Sequence, residues 1–282
     1  MQYTIQNGIL EVRIDELGAE IVSVKKNGEE RLWQNPTGEW AGHAPLLFPV
    51  CGHFGLTKDG VSYPIKAHGF AKKAMFALTA QTKDSISFAI ASNEQTRVGY
   101  PYEFVFTVTY SLVGERLVIA YTVANPDDQP LYFACGGHDA FALEKNVGEY
   151  ELAFEKETRL VHYYHDEEGY LNGETKDFGY VKTFTLPEDI LQDGATVIFK
   201  SVSADMVTLR EKNGKAIARV GFAEYENLLL WRSGEAKYIC IEPWTNLPDY
   251  VNVPDKEFSQ KEGVIEVAPK SEKTITRYIE FL

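Results

Sequence analysis

Two stretches of this chain set proton-handling side chains where a sheet would otherwise run unbroken. In Pro130–Leu143, Pro-Leu-Tyr-Phe-Ala-Cys-Gly-Gly-His-Asp-Ala-Phe-Ala-Leu, an apolar strand meets two glycines and then His138 and Asp139. Gly136 and Gly137 permit positive φ or a close backbone approach, so His138 is expected at a strand end with one face open. Lys237–Trp244, Lys-Tyr-Ile-Cys-Ile-Glu-Pro-Trp, carries Glu242 in an otherwise buried strand. Pro243 lacks an N–H, which would end the ladder locally and expose Glu242 at a cavity mouth. A carboxylate with a pKa of ~4.3 is a ready base at neutral pH, and an imidazole near ~6.5 is a partly protonated acid. Glu242 and His138 are therefore a candidate base and acid. The plainer reading is a β-bulge with a solvated His-Asp pair, and an edge carboxylate paired to Lys237.

The remaining reactive groups are weaker candidates. Trp40–Ala71 breaks the strand pattern and holds three of the six histidines, His43, His53 and His68. No His-x-His or His-Glu-x-x-His spacing occurs, so no metal site is expected. Cys135 lies three residues before His138, where strand geometry gives no reliable nucleophile–base contact. Asp139 could accept hydrogen bonds from a ligand's hydroxyls or orient His138. Successive strand residues point to opposite faces, however, so both line one pocket only if the glycines distort the strand. Trp231 and Trp244 flank the Glu242 strand and could stack on an apolar ligand face or simply pack in the core. His162 and His165 are given no role.

The elements that must position these groups are strands. Leu10, Val12 and Ile14 alternate with polar residues, as do Ile86, Phe88 and Ile90. Phe104–Leu112 and Leu117–Val123 continue the period of two, and further runs follow at Thr196–Phe199, Met206–Leu209, Ala216–Val220, Leu228–Trp231 and Ile275–Phe281. Asn27-Gly28, Asp59-Gly60, Asn172-Gly173, Asp193-Gly194 and Asn213-Gly214 mark tight turns. His162–Tyr180, polar and glycine-containing, reads as an exposed hairpin loop. Only Pro187–Leu191 reads as a helical turn. So many half-apolar strands bury themselves only against another sheet, which makes the fold class all-β, a large antiparallel β-sandwich. No linker, repeat or composition shift divides the chain, so residues 1–282 are read as a single domain.

Composition excludes several function classes. A net charge of −13 opposes nucleic acid and anionic membranes as partners. No stretch approaches about 18 consecutive apolar residues, and the N-terminus lacks a basic region followed by an apolar one. Three cysteines without a CxxC suit a reducing compartment, so a cytoplasmic location is expected. The aromatic content of 13% suits both strands and a sugar-binding cleft. No oligomeric state follows from the sequence.

Four motifs in order, Ala44-Pro-Leu-Leu-Phe-Pro-Val-Cys-Gly52, His68-Gly-Phe-Ala71, Gly136-Gly-His-Asp-Ala-Phe141 and Ile241-Glu-Pro-Trp244, span most of the chain. With them the chain resembles the aldose 1-epimerase (galactose mutarotase) family, in its branch of LacX-like proteins. The resemblance implies a galactose mutarotase-like β-supersandwich, His138 as general acid, Glu242 as general base and His68 as a substrate-binding histidine. It implies no cofactor and a small-molecule sugar as the partner. The chain departs from the family's pattern in three places: His53 stands where arginine is usual, Lys72-Lys73 where Arg-Asp is frequent, and Asp139 where proline is frequent after the histidine. His53, Lys72 and Asp139 are therefore carried as substrate-binding candidates that bear on which sugar fits.

Anomer exchange requires a proton to leave the C1 hydroxyl while another reaches the ring oxygen, after which the ring opens, turns about C1–C2 and recloses. A carboxylate and an imidazole supply that with about 10² to 10⁴ in rate each. The expected activity is aldose 1-epimerisation of a free hexose. Lys66, Lys72 and Lys73 keep a hexose 6-phosphate open as an alternative substrate, although bidentate phosphate recognition favours arginine. A non-catalytic carbohydrate-binding protein is the alternative from a different class.

Overall fold

The alternating runs fold into two antiparallel layers in the computed structural model, which describes residues 1–192 and 194–282. Strands Gln2–Gln6, Leu10–Asp15, Ile21–Lys26 and Glu29–Glu30 form a four-stranded sheet, while a fifteen-stranded sheet carries most of the rest. One half of the large sheet runs through Ala77–Gln81, Ser85–Ala91, Val105–Val113, Arg116–Ala124, Glu272–Phe281, Ala216–Gly221 and Met206–Glu211. The other half continues through Tyr150–His165, Val197–Phe199, Asn227–Trp231, Tyr238–Trp244, Gly136–Gly137 and Leu46–Leu47.

The period of two decides what is buried. Phe106, Val108, Tyr110 and Leu112 pair with Val123, Tyr121, Ile119 and Leu117 and share one face. All eight are buried in the main core, together with Ile5, Val12, Ile14 and Val24 of the small sheet. At ~25 cal/mol per Å², burial of such side chains is the dominant favourable term in folding. Polar links pin the layers together: Tyr110 donates to the Ala19 carbonyl at 2.7 Å and Lys26 to the Phe281 carbonyl at 2.8 Å. This is the large antiparallel sandwich that the strand pattern implied.

Turn chemistry follows the sequence in part. Asn27-Gly28 and Asp59-Gly60 each have two positive φ values, as type I′ turns require. Asn172-Gly173 instead lies inside strand Leu171–Thr185. That strand pairs with Tyr150–His165 in a long hairpin, so the polar segment expected as a loop is mostly strand. Its turn is closed by Gly169 N–H donating to the Asp166 carbonyl, 3.1 Å. Of the expected Asp193-Gly194 turn, Asp193 lies outside the described residues. The short helix after Pro187 spans Glu188–Gln192. A second helix, Glu94–Gly99, is held by reciprocal capping between Asn93 and Thr96 and is too short to show helical periodicity in sequence. Among the described residues no helix is long and apolar enough to cross a membrane.

Candidate active site

Asp139 pairs with Ile241 and Ala140 with Cys240, while Gly136 pairs with Trp244. Carried through the intervening residues, this register sets His138 directly opposite Glu242 on neighbouring antiparallel strands. The imidazole Nε2 lies 3.5 Å from Glu242 Oε1. Alternation along Tyr238–Trp244 sends Ile239 and Ile241 into the main core and turns Tyr238, Cys240, Glu242 and Trp244 to the opposite face. That face floors a cavity of about 570 Å³ lined by His68, Lys72, His138, Trp231, Glu242 and Trp244 together with Trp40 and Thr196.

Three expectations about the strands are corrected. Tyr238–Trp244 is flanked on both sides, by Asn227–Trp231 and by Gly136–Ala142, so it is no edge strand. Pro243 does not end it, and Glu242 is only 1% exposed instead of lying at a mouth. Gly136 and Gly137 are not at positive φ. Their role is steric: a Cβ at Gly136 would stand 2.7 Å from the Trp244 indole, and one at Gly137 would stand 2.4 Å from the Arg277 guanidinium.

Aromatic side chains form one wall around the pair. Trp40 stacks on the His138 ring at 5.1 Å and on Tyr238 at 5.6 Å, and Trp231 meets His138 edge-on at 5.5 Å. Trp40 is held by its carbonyl, which accepts from the Trp33 indole at 2.9 Å. Glu20 braces the following loop by accepting from the His43 and Ala44 amides. Trp40 was not among the sequence candidates. Its only signal is that it begins the irregular segment that also contains His68.

Burial sets the charges. It pulls the His138 pKa down to about 3, with the Lys72 ammonium adding to the effect. Burial, and secondarily the Asp139 charge, pushes the Glu242 carboxyl well above the ordinary carboxylate range, while Lys72 opposes the shift. Both shifts run toward the uncharged form of each group, imidazole for His138 and carboxylic acid for Glu242. His138 Nδ1 and Glu242 Oε2 are buried without a well-aligned hydrogen bond among the described residues; the Trp244 indole N–H is close enough to Glu242 to favour its carboxylate but is not aligned as a full donor. Such atoms favour a polar, hydroxyl-bearing ligand.

His68 occupies a left-handed conformation, φ +64°, beside Gly69, where a Cβ would fall 2.1 Å from the Phe48 carbonyl oxygen. Its Nδ1 accepts the Gly52 amide at 3.1 Å, so the ring proton is on Nε2. Burial first, and His138 second, hold His68 well below the ordinary histidine pKa, as a neutral donor. Lys72 sits on the short turn Ala71–Lys73 and has no ion-pair partner among the described residues. Burial lowers its pKa. Lys73 also lines the cavity, whereas Lys66 is exposed outside it.

Two sequence candidates lie elsewhere. Asp139 points to the opposite face from His138, as strand alternation demands, and its carboxylate forms a bidentate pair with Arg277, each side chain at most 1% exposed. It is a core ion pair and not a sugar contact. His53 does not line the cavity. Its ring packs on Tyr170 at 5.1 Å, beside a second cavity of about 560 Å³ bounded by Phe54, Tyr170 and Lys261. There Asp249 and Asp255 are tied to Lys261, leaving no comparable acid–base pair. Lys237 donates to the Glu144 carbonyl and does not reach Glu242. His162 and His165 accept the Ile198 and Thr196 amides, both at 3.0 Å.

The model of the aldose 1-epimerase family matches residues 1–275. The chain belongs to the aldose 1-epimerase family. It is 30% identical over 267 residues to the chromosomal protein LacX of Lactococcus lactis subsp. lactis, with 88% of each chain covered. Among solved structures it is similar to a galactose mutarotase related enzyme from Lactobacillus acidophilus, at TM-score 0.92 and 29% identity, covering 100% of this chain and 97% of that one. A galactose mutarotase-like protein from Lactobacillus casei superposes at TM-score 0.91 with 26% identity and full coverage of both chains. The family is one of isomerases, and these likenesses extend along the chain.

Two substitutions have opposite expected effects on stability. Asp139→Ala strands a buried guanidinium and is expected to cost about 3–5 kcal/mol. A sugar-contact role would instead raise KM and leave the melting temperature unchanged. For Glu242 the folded pKa is raised, so the stability it contributes is complete below the unfolded value near 4.5 and is lost as pH rises toward the folded value, at about 1.4 kcal/mol per pH unit. Glu242→Gln does not titrate. It is expected to melt above wild type by a margin that grows from pH 4.5 upward, as scanning calorimetry at several pH values would record.

Proposed function

We propose that the protein is an aldose 1-epimerase that interconverts the α and β anomers of a free hexose. The observation that carries this reading is the cross-strand His138–Glu242 contact of 3.5 Å on the floor of a cavity with an aromatic wall. Ring opening moves two protons in concert, one off O1 and one onto the ring oxygen, and leaves the total on the enzyme unchanged. A pair holding one proton between a carboxyl and an imidazole meets that requirement.

In the ionised form of the pair Glu242 is the base and His138 the acid, one proton transfer away from the neutral resting form. Sugar hydroxyls donating to Glu242 favour its carboxylate, and the Lys72 charge acts in the same direction. Glu242 then takes the O1 proton while His138 protonates the ring oxygen. The open aldehyde turns about C1–C2, and the reverse transfers close the ring on the other face. Neutral His68, with Nε2–H as donor, suits a sugar hydroxyl or the ring oxygen. Trp231 and Trp244 supply apolar surface beside the pair.

A second substrate reading rests on Lys72, a partly buried ammonium on the same wall without an ion-pair partner among the described residues, with Lys73 beside it. Two cations suit a hexose 6-phosphate, and Lys72→Met would then weaken the phosphate substrate far more than the neutral one.

Polarimetry of fresh α-glucose, α-galactose and their 6-phosphates tests these readings. Wild type is expected to speed the optical change, and Glu242→Gln or His138→Asn to lose about 10²-fold or more. Equal rates for wild type and Glu242→Gln on every sugar would contradict the catalytic reading, and sugar binding without turnover would favour a binding protein.

A further inference from the structure

Cys240 is a fully buried thiol that ring opening does not use, and its position next to the acid–base pair gives it a different chemistry. Cys240 and Glu242 are two apart on one strand and share its cavity-side face, and His138 stands across from Glu242. One donor atom from each of the three side chains lies within 4.8 Å of the other two. We propose that His138, Cys240 and Glu242 form an inhibitory site for a thiophilic divalent cation of the zinc class. The binding claim is independent of the sugar, and only its inhibitory consequence rests on the proposed epimerase activity.

Three features support the site. The donor set is imidazole nitrogen, sulfur and carboxylate oxygen, a combination that suits zinc and disfavours magnesium or calcium, which take oxygen ligands. Bond lengths of about 2.0–2.3 Å to a tetrahedral ion put neighbouring ligand atoms roughly 3.3–3.7 Å apart. The 3.5 Å between His138 and Glu242 already matches, and the sulfur lies within 4.8 Å of both other donors. Secondly, Glu242 Oε2 makes no well-aligned hydrogen bond among the described residues although the side chain is 1% exposed, its neighbour being the Trp244 indole N–H, and the residue lines the cavity. Thirdly, a thiolate, a carboxylate and a neutral imidazole offset both charges of the cation, so the assembly adds no net charge beside Lys72. His138 and Glu242 line the cavity, so a water entering from it would complete the tetrahedral set. An ion held there occupies both groups needed to move protons to and from a sugar.

This site was invisible in the spacing of the histidines, because its ligands come from two strands whose pairing only the fold supplies. Cys51 and Cys135 lie outside the cluster, so they provide an internal control.

The test is titration of the full-length protein with Co²⁺, whose thiolate charge-transfer absorption reports sulfur ligation, followed by displacement with Zn²⁺ and calorimetry. Wild type is expected to bind one equivalent with the thiolate band. Cys240→Ser and Cys240→Ala, checked for unchanged melting, are expected to lose the band and at least tenfold in affinity while keeping basal activity. Zinc at stoichiometric excess is expected to inhibit wild type and to spare both variants. Absence of the band in wild type, or equal zinc affinity and inhibition in wild type and the variants, would overturn the proposal. If the band and the affinity loss appear but no sugar is turned over, the cation site stands and the proposed function falls.

Discussion

The registration of strand Tyr238–Trp244 against Gly136–Ala142 is the constraint on which the site depends. Side chains alternate along both strands, so a slip of one residue would turn one of the two strands over, putting either Asp139 in place of His138 on the cavity face or Ile241 in place of Glu242. The opposite face resists such a slip. There Asp139 is locked to Arg277, whose guanidinium fills the space over Gly137. One face of the pairing therefore carries a satisfied buried ion pair and the other an unsatisfied acid–base pair, and the same backbone hydrogen bonds hold both.

What sets the pair apart is how deeply it is buried. Trp40, Trp231 and Trp244 surround the imidazole and carboxyl, and burial moves the two pKa values in opposite directions until the neutral forms prevail. Placing a carboxyl where it cannot be solvated works against folding at neutral pH. The broad apolar core, in which the small sheet covers one face of the large one, supplies the stability that offsets this. Lys72 is the counterweight within the cavity: its charge opposes the neutralisation of Glu242 and lowers His138 further.

Much of this was legible in the chain, for identifiable reasons. Strands such as Val105–Val113 and Arg116–Ala124 announce themselves because one face is buried and the period is strict. His138 and Glu242 stood out as polar interruptions of apolar strands, and Asp139 could be suspected of facing away by alternation alone. Other features needed the fold. That His138 and Glu242 lie on adjacent strands of one sheet depends on pairing across about a hundred intervening residues. The glycines before His138 looked like sites of backbone freedom, whereas it is the Trp244 and Arg277 side chains that exclude a Cβ. Trp40 has no local pattern at all, and His53 belongs to the side of Tyr170 because of how the loop after Gly52 turns.

The central claim is that His138 and Glu242 act on one sugar ring from one face of the sheet. A crystal structure with a bound hexose tests it most directly. The account predicts the anomeric hydroxyl within hydrogen-bond distance of Glu242 and the ring oxygen within hydrogen-bond distance of His138, with the pyranose beneath Trp40. A hexose bound instead in the cavity beside Tyr170 and Lys261, or one whose anomeric carbon is turned away from both groups, would contradict it.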